Sequence, residues 1–187
     1  MMELEQAIMR PGVREALRKL AVEAIRGIFT GQVPEVPEDL IGLDERCGAF
    51  VTIKENGMLR GCIGFLRSDK SIPRAVMESA RLSATEDPRF PPLTAREVDN
   101  IEVEITLLGE PFELDVSDGI RGKIRIGTHG LIVERGPYRG LLLPQVATEF
   151  GFDEEQFLEA TCEKAGLPPG AWKKPGTRVY AFEGLVF

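Results

Sequence analysis

The chain has 187 residues, 43% of them hydrophobic, and its 23 Lys and Arg against 30 Asp and Glu give a formal charge of −7. That length buries a core without disulfide or metal staples, and the acidic balance argues against non-specific binding to nucleic acid, which runs on phosphate neutralisation. Three separated cysteines, Cys47, Cys62 and Cys162, form no Cys-x-x-Cys pair, and His129 is the one histidine, so neither a disulfide scaffold nor a structural zinc site is expected. The cysteines read as reduced cytoplasmic thiols, and no metal or cofactor is expected. Glu3, Glu5 and Arg10 interrupt any apolar signal-peptide core, and no run reaches the ~20 apolar residues of a membrane helix, so no membrane contact is expected.

In chain order, Val13, Ala16, Leu17, Leu20, Ala21, Ala24, Ile25 and Ile28 recur at helical spacing and predict a core-packing helix over residues 11–30. Pro11 suits its first turn and Gly31 the position past its end. Pro34 and Pro37 mark an extended connector. Two β-rich runs, 49–54 and 58–63, flank Asn56-Gly57, a dipeptide that tolerates positive φ, and predict an antiparallel hairpin. A helix over 72–85 follows, with Ser71 as cap and Pro73 in its first turn, ended by the proline-rich 87–92 run. A short helix is expected over 94–98, Thr94 capping it with Glu97 three residues on. Ile101, Val103, Ile105 and Leu107 alternate with Glu102, Glu104 and Thr106 as a half-buried strand whose wet side carries the glutamates.

Further strands are predicted near 123–127, 131–134 and 140–143, the last two flanking a 135–139 hairpin loop. Helices are predicted at 145–150 and 154–165, the second capped by Asp153, and a closing strand at 178–187. Strands do not alternate regularly with helices, so the expected class is α+β, a largely antiparallel sheet flanked by helices.

The run Leu59-Arg60-Gly61-Cys62-Ile63-Gly64 is the most informative. Strand alternation puts Arg60 and Cys62 on one face, and a guanidinium beside a thiol favours the reactive thiolate. Gly61 and Gly64 weaken a strand, which points to the close approach of a ligand or of another backbone. A cysteine nucleophile also wants a base, and the only histidine, His129, lies far off in a turn-like Gly127-Thr128-His129-Gly130. Cys62 is therefore expected to be mostly buried, with Arg60 as the exposed functional group. Asp87-Pro88-Arg89-Phe90 reads either as a ligand-contacting cluster or as a helix end with a local ion pair. Arg60, Asp87 and Arg89 are expected to meet around one concavity, because polar groups beside glycine and proline are costly unless used. Pro144 opens a helix from which Gln145 points its amide into a cleft.

These segments carry a resemblance. The 59–64 run resembles the signature of the AMMECR domain family. Asp87-Pro88-Arg89-Phe90 followed by the Ile-Glu-Val-Glu-Ile strand resembles its second block, Leu142-Leu143-Pro144-Gln145-Val146-Ala147 its third, and Phe157-Leu158 through Cys162-Glu163-Lys164-Ala165-Gly166-Leu167 its fourth. The blocks keep family order and span Gly48 to Trp172, so residues 1–187 are identified as one AMMECR domain, with room for a small lobe from a mid-chain segment.

Length and style resemble the prokaryotic branch called AmmeMemoRadiSam system protein A, which implies Memo-like and radical-SAM proteins as partners. The resemblance implies an α+β fold with a larger and a smaller lobe, grouped with the RAGNYA folds whose members bind nucleotides, nucleic acids or peptides. The matching positions are Arg60, Gly61, Cys62, Gly64, Asp87, Arg89, Phe90, Pro144 and Gln145; no family histidine is implied at His129. The leading expectation is a binding or accessory protein for a nucleotide, RNA or peptide ligand. The alternatives are an enzyme with Cys62 as nucleophile and Arg60 as its anion stabiliser, and a structural interaction domain.

Overall fold

The computed structural model describes residues 6–187. The chain divides into two compact units: a larger one that runs to Leu108 and takes in Leu185–Phe187, and a smaller one formed by Gly109–Gly184.

The larger unit is organised on a hairpin. Strand β1, Gly48–Glu55, pairs antiparallel with β2, Met58–Phe65. The turn is Asn56-Gly57, with φ of 51° and 75°, the left-handed pair that matches strand twist in a two-residue turn. The other side of β1 pairs antiparallel with β3, Ile101–Leu108, and Ile105 exchanges backbone hydrogen bonds with Phe187 across the far edge of β3. Helices α1, Val13–Thr30, and α2, Ile72–Thr85, supply the apolar stripes that bury Val51, Ile53, Ile105 and Leu107.

One predicted helix start and one predicted cap are corrected. Gly12 holds a left-handed φ of 82° as the residue before α1, so Pro11 lies outside the helix, and Ser71 precedes α2 without a side-chain cap bond. Residues 95–99 are turns, not a helix: the Glu97 carboxylate accepts from the Thr94 amide and hydroxyl, but the Glu97 amide donates to the Thr94 carbonyl rather than to its hydroxyl.

In the smaller unit, β5, His129–Arg135, lies between β6, Tyr138–Leu142, and β7, Arg178–Val186, and short β4, Phe112–Leu114, pairs with β7. All pairings are antiparallel, as the α+β reading requires. Helices α3, Pro144–Glu149, and α4, Glu154–Lys164, complete it, α4 opening on a capping box between Asp153 and Gln156. Phe157, Leu158 and Cys162 of α4 pack with Leu131, Val133 and Trp172. The strand predicted at 123–127 is a set of turns, because Lys123 is tied to Asp118 and to the Asp115 carbonyl rather than to a ladder. Among the described residues no helix is long and apolar enough to cross a membrane.

The motif glycine Gly61 has a packing cause. A Cβ built there would stand 2.2 Å from the Ser83 carbonyl oxygen of α2, so the backbone of α2 is what approaches β2. Ser83 fixes that approach: its hydroxyl accepts from the Ile63 amide at 2.7 Å and lies 2.7 Å from the Val51 carbonyl it donates to. Gly61→Ala is therefore expected to lower the unfolding free energy by roughly 2 kcal/mol, the scale of overpacking a tight contact. Urea denaturation measures it; an unchanged midpoint would mean that α2 sits farther from β2 than described.

Candidate functional site

The β1–β2 register slips between Ile53 and Lys54: Ile53 faces Gly61 while Lys54 faces Leu59. Arg60 is the extra residue of this bulge, and a bulge re-aims the side chain it carries. The Arg60 guanidinium reaches Glu97 Oε1 at 2.8 Å and the carbonyls of Pro91 and Pro92 at 2.9 and 3.4 Å. The other oxygen of Glu97 accepts from the Thr94 amide and hydroxyl, both at 2.7 Å. Arg60, its hydrogen bonds and those of Thr94 hold the Glu97 carboxyl down at about 2 against the opposing cost of burial. With its side chain only 14% exposed, Arg60 is a strut between β2 and the 91–97 connector. The expectations that it is exposed and that it stabilises the Cys62 thiolate are corrected on this geometry.

Two residues along β2, the Cys62 amide donates to Asp87 Oδ2 at 2.9 Å. Asp87 also accepts from Arg89 three times: from the amide at 3.1 Å, from Nε at 2.9 Å and from Nη2 at 2.7 Å. Four donors on one carboxylate, led by the Arg89 guanidinium, outweigh its burial and bring its pKa down to about 2. The two side chains differ sharply in exposure, 3% for Asp87 and 52% for Arg89. Arg89 is therefore a cation presented to solvent and locked from behind, and its guanidinium also lies 5.5 Å from the centre of the Phe90 ring. Asp87 serves as both ion-pair partner and helix-end lock, the arrangement of a helix end with a local ion pair.

Cys62 is half-buried. Thr52, directly across β1, donates its hydroxyl to Cys62 Sγ at 3.2 Å. Burial pushes the thiol pKa up, beyond what Thr52 and the nearby Arg89 charge offset. The cation that acts on the thiol is thus Arg89, not Arg60, and the thiol stays protonated, the poorly nucleophilic form. Gly64 is also a packing glycine, since a Cβ there would stand 2.1 Å from the Ala49 carbonyl oxygen.

The remaining sequence candidates lie in the smaller unit. Gln145 is half-buried in the first turn of α3, behind Pro144. The His129 ring is buried, with Nδ1 3.1 Å from the Arg125 amide nitrogen and Nε2 3.0 Å from Arg125 Nε. Burial and the Arg125 charge keep its pKa below the ordinary value, against the pull of Glu183.

The sequence reading missed Thr52 and the second role of Glu97. Thr52 was not within reach of the turn alone, since a register counted straight from Asn56-Gly57 faces it to Gly61 and only the slip at Arg60 moves it to Cys62. The bond of Glu97 to Arg60 depends on the bulge.

The arrangement is that of an antiparallel α+β protein in which a Gly-Cys strand is pinned to a charged connector through Asp87 and Glu97. The chain belongs to the AMMECR1 family, whose model matches residues 18–187. A protein of Methanothermobacter thermautotrophicus is 46% identical over 174 residues, covering 91% of this chain and 90% of its own, and one from Nanoarchaeum equitans is 43% identical over 175 residues, covering 91% and 97%. The crystal structure of an uncharacterized protein from Pyrococcus horikoshii matches with a TM-score of 0.85 at 44% identity, over 91% of this chain and 88% of that one.

Because the Asp87 pKa falls from 3.8 to about 2 on folding, its contribution is full above the unfolded value and lost as pH drops through about 2. The shift corresponds to about 2 kcal/mol. Asp87→Asn is expected to remove that much stability at neutral pH and to flatten the acid limb below about pH 4. Stability curves at several pH values test it; an acid limb of unchanged slope in the variant would disprove the assignment.

Proposed function

We propose that the protein is a ligand-binding or accessory protein that uses Arg89 and Phe90 to hold the phosphate of a nucleotide or of a short RNA. The observation that carries this reading is the solvent-facing Arg89 guanidinium fixed by the buried Asp87 carboxylate. Its Nε and Nη2 are committed to Asp87, which leaves Nη1 to donate outward. A guanidinium whose orientation is set before binding loses little freedom on meeting an oxyanion. Phe90 adds an aromatic surface beside it, of the kind on which a base stacks. The net charge of −7 fits a site for one specific anion rather than a phosphate-tracking surface.

The protonated, half-buried Cys62 supports binding over nucleophilic catalysis. The cysteines are free, which supports a reducing cytoplasmic setting. The family resemblance supports a place beside Memo-like and radical-SAM proteins.

Calorimetric titration with adenosine monophosphate and with a short RNA, alongside an acidic peptide, tests the proposal. Arg89→Ala is expected to weaken nucleotide or RNA binding by roughly tenfold or more, the worth of a charge-assisted bond. Arg89→Lys, which keeps the charge but loses the fork, should fall between, and Cys62→Ala should bind as the parent does. Equal affinity in the parent and both Arg89 variants, or binding of the peptide alone, would refute the reading.

A further inference from the structure

Helix α4 carries acid along one ridge. Glu155, Glu159 and Glu163 stand at i, i+4 and i+8, so they follow one another at about 6 Å, the rise of one turn. The ridge walls a groove of about 790 Å³ in the smaller unit. Half-buried Phe152 and Ala160, with Leu167, form its apolar floor. Beyond Phe152 the apolar surface continues, because that ring stacks on Phe150 with centres 5.4 Å apart, and Phe150 is 69% exposed.

The charge of the groove is one-sided. Three glutamates line it, and among the described residues no Lys, Arg or His does. Lys173, which pairs with Glu155 from outside the lining, brings the sum from −3 only to −2.

The three carboxylates are held differently. Glu159 is fixed, since Oε2 accepts from the Gly170 amide at 2.7 Å and Oε1 from Trp172 Nε1 at 2.9 Å. Glu155 and Lys173 meet at 2.7 Å but both are more than half exposed, so their pair is weak and readily exchanged for another cation. Glu163 is exposed and joins no ion pair among the described residues. It also stands in the last turn of α4, where the helix dipole disfavours a carboxylate. An unpaired acid in that place, beside exposed aromatic surface, breaks a local rule that nothing in the folded chain offsets.

Charge and shape together select the occupant. Among the described residues no set of acidic, Cys and His side chains is close enough to hold a metal ion. Nucleic acid and anionic lipid are repelled by the ridge, and so is a second copy of a chain with net charge −7. A polyamine answers the charge but leaves the Phe152 and Leu167 surface in water. A helix with Lys or Arg one turn apart answers both, because its cations repeat at the spacing of the glutamates while its apolar stripe enters the floor.

We propose that the α4 groove docks one basic amphipathic helix of a partner protein, its Lys or Arg side chains on Glu155, Glu159 and Glu163 and its apolar stripe over Phe152, Ala160 and Leu167. Glu163 gains the cation it lacks, and Glu155 exchanges Lys173 for one from the partner. All of these residues belong to the smaller unit, and the proposal does not rest on the Arg89 reading.

The probe is a blocked peptide, acetyl-Ala-Lys-Leu-Ala-Ala-Lys-Leu-Ala-Ala-Lys-Leu-Ala-amide, titrated into the full chain at low salt and followed by amide NMR. With millimolar peptide the Ala160 and Glu163 amides should shift, the bound peptide should show helical amide–amide contacts, and affinity should fall as salt rises. Glu163→Lys is expected to weaken binding roughly fivefold, the scale of an exposed charge pair; the site is exposed and a cation suits that helix end, so the fold persists. The peptide with its Lys replaced by Glu should not bind, and a shuffled peptide whose Lys share no face should bind more weakly. No response at α4, equal affinity in Glu163→Lys, equal binding of the shuffled peptide, tighter binding of spermine than of the peptide, or a concentration-dependent dimer covering α4 would each overturn the proposal.

Discussion

The Asp87 carboxylate is the constraint on which the arrangement of the motif depends. It is nearly inaccessible to water and ionised, a combination that survives only when donors replace the lost hydration. Three of those donors come from Arg89 and the fourth is the backbone amide of Cys62. The carboxylate thereby orients the exposed guanidinium and fixes the chain after α2 against β2. Ser83 does the same from the helix side through the Ile63 amide. Successive amides of the motif strand are thus spent on fixed partners, Asp87 for Cys62 and Ser83 for Ile63. The strand is a support, and the group it presents comes from the neighbouring connector.

Much of this fold was legible in the chain. Asn56-Gly57 specified the hairpin because few dipeptides adopt two left-handed conformations cheaply. The alternation of Ile101 to Leu107 specified β3, and α2 falls where its proline signals put it. What failed depended on tertiary contact. Strand alternation put Arg60 beside the Cys62 thiol, but alternation presumes an unbroken register, and the bulge at Arg60 is a property of two strands together. Glu97 was recognisable as a turn-capping residue through one carboxylate oxygen; its second oxygen meets Arg60 only after the hairpin and the connector are brought together. Residues 123–127 have strand-like composition, yet only Ile124 is buried there, and β4 is too short to alternate visibly.

Gly61 shows why a motif glycine has two meanings until its neighbours are known. A missing side chain admits either a ligand or another segment of chain, and the Ser83 carbonyl decides for the second. Gly140 in the smaller unit repeats the device, where a Cβ would stand 2.4 Å from the Ala165 nitrogen at the end of α4. In both units a helix is drawn onto a strand at a glycine, so these glycines set helix height above the sheet rather than the chemistry of a pocket.

The pairing of Ile105 with Phe187 has a consequence for synthesis. The larger unit is discontinuous in sequence: the whole of Gly109–Gly184 is inserted between β3 and the three residues that return to it. A chain emerging from the ribosome at roughly 5–20 residues per second exposes the helices and the β1–β2 hairpin early. The outer side of Ile105 must then wait until the entire smaller unit has been translated. Closing so long an excursion costs loop entropy before the contact repays it. During that interval the nascent larger unit carries an open β-edge, the feature by which unfinished chains most readily associate with one another.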